Sequence, residues 1–533
     1  MQLTTVFHLF DGVDGLTVQH FYIAGFITFT YAAFRYLKTI TSPLNAIPTV
    51  GYSGILTSYI TALKYRKAAG PLLEEGYTKA SKVFIHSLSL GIIFILSGEE
   101  YVKDLCDAPE EVLSVLEPLL ESTQAKHTFG LEMFTVPSHI TTIRNLVTRN
   151  LGIKFDEIRD EVIRSCEDHI PESKDWVTVH AYATILHVVC RTTNRYLLGL
   201  PICRDRRILA LGEELSDNII GGARTISLFP GFLKRFASEF LTRVPGILQD
   251  GYDIMAPIIE ERLAQYRDVE CEADNQPNDV LTWLIKSSSA DFHLTASDMA
   301  RRVAMINLAS MHATSMVLTQ ALYDLVIHPE YTEELREEIA SVVGEDGWTK
   351  TALQKMRKLD SFLKESHRLN TVSEFLMVRQ SLKSYTLSDG TIIPPGVHVG
   401  IASGAMNKSE EVFKDAKTFK GFRFAEMREG NEYLDSTKHQ MVGLSKDTVT
   451  FGRGRHACPG RFFAVTVIKM AFVHILLNYD VRLENGSLER PVSASFEITT
   501  TPNTEARLMF RKSTSAALRH ESEMKGSTGL WCN

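Results

Sequence analysis

Cysteine is scarce in this chain. The seven in 533 residues are Cys106, Cys166, Cys190, Cys203, Cys271, Cys458 and Cys532, without paired spacing. That pattern excludes a disulfide-built scaffold and a Cys-x-x-Cys zinc site, and suits a reducing compartment, most simply the cytosol. Long basic runs are missing too. Acidic residues outnumber basic ones 64 to 57, giving a net charge of −7, so nothing suggests a nucleic-acid partner. No Gly-x-Gly-x-x-Gly follows a strand-like run, which excludes a fused flavin or dinucleotide domain, and no internal repeat is present. What is present is ordinary globular material, 44% hydrophobic and 23% charged, enough for a substantial core.

Charge is also absent from residues 15–34, which include the run Phe21 to Phe34. Spanning a bilayer takes about 20 mostly apolar residues, and this stretch reaches that if Gln19, His20 and the threonines are tolerated. Asp11 and Asp14 precede it and Arg35 and Lys38 follow it, unlike a cleaved signal peptide. The reading is a membrane anchor over 1–40 with the rest of the chain cytosolic; an amphipathic surface helix is the alternative. Pro43, Pro48, Gly51 and Gly54 then make residues 41–55 a hinge.

The next segment mixes helical patterns with a strand candidate, Leu90 to Leu96. From Pro137 to Ala340 apolar residues recur at helical spacing. The longest helix is expected from Thr295, capping with Asp298, to His328, where Pro329 stops it. Beyond Arg379, the stretch Tyr385 to Gly396 reads as two strands around an Asp-Gly turn, and Val492 to Thr499 alternates like a strand. The fold class is therefore mainly α with small β-sheets (α+β). One catalytic domain covers 56–511, and a polar tail, expected to be disordered, covers 512–533.

The most informative run is Phe451-Gly452-Arg453-Gly454-Arg455-His456-Ala457-Cys458-Pro459-Gly460-Arg461. Glycines permit a tight loop, and Pro459 suits the first turn of a helix, so Cys458 is expected at a helix N-terminus. Backbone N–H groups and cationic neighbours there favour a thiolate, as an axial haem-iron ligand requires. Phe, two residues, Gly, one residue, His or Arg, one residue, Cys, one residue, Gly is the haem-binding signature of the cytochrome P450 family, and this chain resembles it at every defined position. The resemblance implies that Cys458 is the proximal thiolate of haem b, that Phe451 packs beside it, that Gly452 and Gly460 shape the cradle, and that His456 reaches a propionate.

Other motifs fit the same resemblance. Glu365 and Arg368, three apart on a helical pattern, resemble the family's buried Glu-x-x-Arg pair, and Arg423 resembles its third member. Gly421 stands where many relatives have proline, which predicts a looser loop. Arg379 falls where relatives present an arginine to a propionate. His139 and Arg144 fall near a Trp-x-x-x-Arg pattern, although the tryptophan is missing and the spacing is one residue longer. On the central helix, Ala309-Ser310-Met311-His312-Ala313-Thr314-Ser315 departs from the usual acid-threonine pair: His312 replaces the acid and Ala313 the threonine, with Thr314 one residue on. The small residues Ala309, Ser310 and Ala313 suggest a groove beside His312, which can relay protons near neutral pH, as in fungal members that carry histidine here. Met305, Leu308, Val372, Phe375 and Leu376 are candidates for the pocket wall.

The resemblance, nearest to fungal microsomal members, implies a monooxygenase inserting one atom of O2 into an apolar small molecule. Terpenoid-like secondary metabolites are the expected substrates. Electrons would come from NADPH through a separate cytochrome P450 reductase, with cytochrome b5 as a further partner, at the endoplasmic reticulum membrane. Ala313 keeps open a haem-thiolate isomerase, dehydratase or peroxide-dependent enzyme; a haem-binding sensor is the non-enzymatic alternative.

Overall fold

The computed structural model describes residues 30, 47–52, 57–79, 83–88, 91–267, 276–288, 295–428, 437–484 and 486–513. The expected anchor (1–40) apart from residue 30, nearly all of the tail and much of the hinge lie outside the described residues.

A helix of 32 residues, Ala296–Ile327, organises the domain. At 1.5 Å per residue it is about 48 Å long. Its start and stop are local: the Thr295 side chain accepts the Asp298 N–H at 3.1 Å, and His328 leaves helical geometry before a 3-10 turn opens on Pro329. Helices Ala181–Leu198, Arg206–Ser227, Val244–Arg267, Arg357–Leu369 and Arg461–Asn478 all pack on it. A helix enclosed on so many sides buries polar residues as well as apolar ones, and those must be bonded. Asn307 Nδ2 accordingly donates to Asn194 Oδ1 at 3.1 Å, and Ser315 Oγ donates to the Met311 carbonyl at 2.7 Å.

Arg461–Asn478 is the one helix among the described residues that is long and apolar enough to cross a bilayer, with a mean hydropathy of 1.5. It is nevertheless 67% buried inside the protein, packed against Phe155–His169 and the central helix. Its hydrophobicity serves the core.

The β structure is peripheral. Strands β1 (Val83–Leu88) and β2 (Gly91–Leu96) form an antiparallel hairpin. Together with β3 (Leu113–Ser114), β5 (Leu376–Ser381) and β8 (His398–Ile401) they make a sheet ordered β1-β2-β8-β5-β3. Strand β4 (Val177–His180) joins β12 (Arg507–Lys512) and β9 (Tyr479–Leu483) in a second sheet. Two hairpins complete it, β6 (Tyr385–Thr386) with β7 (Ile392–Ile393) and β10 (Ala494–Phe496) with β11 (Thr499–Thr501). The run from Val492 to Thr499 is thus no single strand, because Glu497 takes a left-handed φ of 52° and turns the chain.

Candidate functional site

The cysteine loop packs tightly against the helix Glu99–Asp107. Gly454 has φ +68°, and a β-carbon on it would stand 3.0 Å from the Cys106 sulfur of the neighbouring helix Glu99–Asp107. The loop then turns through Pro459, and the helix begins at Arg461 with Gly460 as its cap. Cys458 therefore sits two residues before the cap rather than on the helix, and Pro459 is not its first-turn residue. The donors still converge, since the Gly460 and Arg461 N–H groups and the Arg461 guanidinium all favour ionisation of the Cys458 thiol. Burial outweighs them and holds the thiol above its ordinary value. The protein by itself thus partly prepares the thiolate, and a coordinated cation would complete the deprotonation. Cys203 also has arginines near it, but no backbone N–H stands among the groups favouring the thiolate at Cys166, Cys190 or Cys203, and burial pushes each thiol up to about 12.

Behind the loop, the Phe451 ring meets His367 edge to face at 5.5 Å, linking the cysteine loop to the helix Arg357–Leu369. On that helix Glu365 is wholly buried. Its carboxylate accepts from Arg368 Nε and Nη2 at 2.8 and 2.7 Å, from Arg423 Nε at 3.0 Å and from the Lys420 N–H at 3.1 Å. Arg368 Nη1 donates onward to the Asn407 and Ala416 carbonyls, and Arg423 to those of Lys414, Asp415 and Thr418. Gly421 does not loosen the adjoining loop. Its N–H donates to the Tyr331 hydroxyl at 3.1 Å, and a β-carbon there would stand 2.8 Å from the Tyr331 ring, so both the hydrogen and the missing side chain are used.

A group of cations lies beside the cysteine loop. A β-bulge between Leu376 and Arg379, with Met377 at φ 57°, re-aims strand β5 so that Arg379 is buried. Among the described residues its guanidinium has one hydrogen bond, to the Val378 carbonyl at 2.9 Å, and burial lowers its pKa to about 10. The segment Ser138–Thr142 continues into a π-helical turn, Ile143–Val147, which absorbs one extra residue per turn. Arg144, the second residue of that turn, reaches the Arg455 carbonyl at 3.0 Å. His456 Nε2 lies 3.0 Å from Glu110 Oε2; burial and Arg379 keep its pKa below the ordinary imidazole value. His139, in the tryptophan's place, is buried against Arg302 at 3.4 Å.

On the central helix, Ala309 and Ala313 are exposed although most neighbours are buried. His312 is turned toward helix Ala181–Leu198, where its Nδ1 lies 3.2 Å from the Tyr182 hydroxyl. Burial lowers its pKa, against the pull of Asp217, Glu213 and the Gly212 carbonyl. Thr314 is buried one position on. Tyr182, His367 and Glu110 were not singled out by sequence reasoning. Only His367 carried a signal, its place inside Glu-x-x-Arg.

The sequence model of the cytochrome P450 family matches residues 68–508. Cytochrome P450 monooxygenase 151 of Postia placenta is 36% identical over 483 residues, covering 90% of this chain and 96% of that protein. Cytochrome P450 monooxygenase AN1598 of Emericella nidulans is 31% identical over 460 residues, covering 85% of each. The chain belongs to the cytochrome P450 family. A retinoic acid-bound cyanobacterial CYP120A1 shares the fold, with a TM-score of 0.67 at 16% identity over 88% of this chain and 99% of that one. This P450 is a haem-thiolate monooxygenase, and its haem iron takes a cysteine ligand. The residues present fit that group: a thiol supplied with N–H donors, buried or loop-borne cations beside it, and methyl-sized side chains exposed on the central helix.

Proposed function

We propose that this P450 oxidises an apolar, membrane-partitioned small molecule of secondary metabolism, terpenoid-like in character. Cys458 would be the haem ligand, with Phe451, Gly452 and Gly460 shaping its loop and Arg144, Arg379 and His456 taking the propionates. So ligated, haem iron supplies reductive activation of O2. Around it, Ala309 and Ala313 leave room, and His312, Ala313 and Thr314 form the proton-delivering surface. Electrons would come from NADPH through a separate reductase, with cytochrome b5 as a further donor. Residues 1–40 would hold the protein on the endoplasmic reticulum membrane, with 56–511 as the cytosolic domain.

The observation that carries this reading is the Cys458 thiol with two backbone N–H groups favouring its ionisation, beside a loop rich in cations. The test is spectroscopic. Reduced protein with carbon monoxide should show the red-shifted Soret band of a thiolate haem, and Cys458→His should abolish it. Folded wild type without that band would sink the ligand assignment. Ala313, where a hydroxyl is usual, supports a second reading as an isomerase, dehydratase or peroxide-dependent enzyme. Product formed without NADPH or O2 consumption would favour it.

A further inference from the structure

A cavity of about 640 Å³ lies away from the cysteine loop, walled by the loop around Lys126, the helix Lys234–Leu241, the start of Val244–Arg267, one side of Arg206–Ser227 and the first half of the central helix. The Ser238 hydroxyl donates to the His127 carbonyl at 2.8 Å and ties two of these walls together. Its apolar surface includes Leu215 and Ala304.

Its charge runs against that of the whole protein. The chain carries −7, yet this cavity presents Lys126, Arg235 and Arg301 against one carboxylate, Glu239. Glu239 is already taken by Arg235 at 2.9 Å. Lys126 and Arg301 make no ion pair among the described residues, and His127 is kept toward its neutral form by burial and by Lys126 and Lys234. Arg301 is exposed and packs beside the turn that carries Gly130. Its Nη1 lies against the Gly130 turn, 3.4 Å from where a β-carbon there would stand.

The central helix gives a ruler. Arg301 and Ala309 are eight residues apart, just over two turns along one i, i+4 ridge and about 12 Å along the axis, whereas Ala304, about 7.5 Å before Ala309 along the axis, lies on another side of the helix. Two unpaired cations at one end and small exposed side chains at the other suit a molecule with one anionic end and a long apolar body. Glu239 in the same wall disfavours a doubly charged head group.

We propose that this cavity binds the acid end of the substrate: an apolar molecule bearing a single carboxylate, held by Arg301 and Lys126, whose carbon skeleton runs past Leu215 and along the central helix toward Ala309. This rests on the monooxygenase reading and narrows its substrate class to apolar acids oxidised far from the carboxylate.

The test is equilibrium binding to haem-loaded protein, with dehydroabietate and hexadecanoate each compared with its methyl ester. Each acid that fits should bind about tenfold or more tightly than its ester, and about 0.5 M KCl should shrink that ratio. Arg301→Met should weaken the acid about tenfold with the ester changed less than about twofold, Arg301→Lys should retain most of the binding, and Lys126→Met should cost about threefold. Both side chains are exposed, so folding should survive, and the carbon monoxide spectrum of the same samples reports on it separately. A normal spectrum with neither acid preferred over its ester, or with acid and ester weakened equally by Arg301→Met, overturns the proposal. An abnormal wild-type spectrum would instead sink the thiolate assignment.

Discussion

The cysteine side and the cavity side of this P450 treat arginine in opposite ways. Around Glu365 the guanidinium groups of Arg368 and Arg423 are matched to a carboxylate and to five carbonyls, all inside the protein. At the cavity, Lys126 and Arg301 have no such partners among the described residues. A charge that maintains the fold is satisfied by the fold, whereas a charge meant for a ligand keeps its donors open. Arg379 is intermediate, buried with one carbonyl bond, as a residue shared between protein and cofactor would be.

The sharpest way to break the comparison is to unmatch the closed side. Glu365→Ala leaves two buried guanidinium groups without their anion, a loss of roughly 3–5 kcal/mol, which is comparable to the whole stability of a marginal domain. Haem-loaded protein should nearly vanish from purified material, as read by absorbance per milligram. Normal haem content with altered turnover would show that the network acts on chemistry rather than on folding.

Acid should weaken the same side. His139 and His367 are buried, and burial lowers each pKa to about 4 from an ordinary 6.5, helped by Arg302 and Lys364 respectively. A histidine whose folded pKa is depressed contributes fully above the unfolded value and loses that contribution as pH falls from about 6.5 toward 4. Each costs roughly 1.4 kcal/mol per pH unit across that window. The melting temperature should therefore fall steeply over that range, and His367→Asn should flatten the slope by one proton. An unchanged slope in that variant would mean His367 titrates normally.

How much could be read in advance follows the same division. The Cys458 loop and the Glu365 helix were legible because their residues are contiguous and their chemistry needs fixed spacing. The central helix was legible to within a residue at either end because Thr295 and Pro329 punctuate it. The rest depended on folding. Arg144 meets the Arg455 carbonyl from 311 positions away, and Gly421 looked slack until Tyr331 occupied its N–H. Tyr182 meets His312 from 130 positions away, and Lys126 and Arg301 come to line one cavity through tertiary packing, so no spacing announces either.

The smallest expected effect tests whether His312 belongs to the open set. Its Nδ1 is engaged by Tyr182 and its ring feels the Gly212 carbonyl, but its Nε2 closes no hydrogen bond of ordinary geometry among the described residues, which resembles the unmatched donors of the cavity more than the saturated groups around Glu365. If that nitrogen passes protons, His312→Ala should lower product formed per NADPH and divert electrons to hydrogen peroxide. One hydrogen-bonded group is worth about 1 kcal/mol, so coupling should fall by about fivefold at most. Tyr182→Phe keeps the ring packing and frees Nδ1, so it should give a smaller shift in the same direction. Ala313→Thr restores the usual hydroxyl beside the histidine and should leave coupling equal or improved. Unchanged coupling in His312→Ala, measured with the true substrate, would assign that imidazole to packing between the central helix and Tyr182, and would place the proton path elsewhere on the exposed Ala309–Ala313 face.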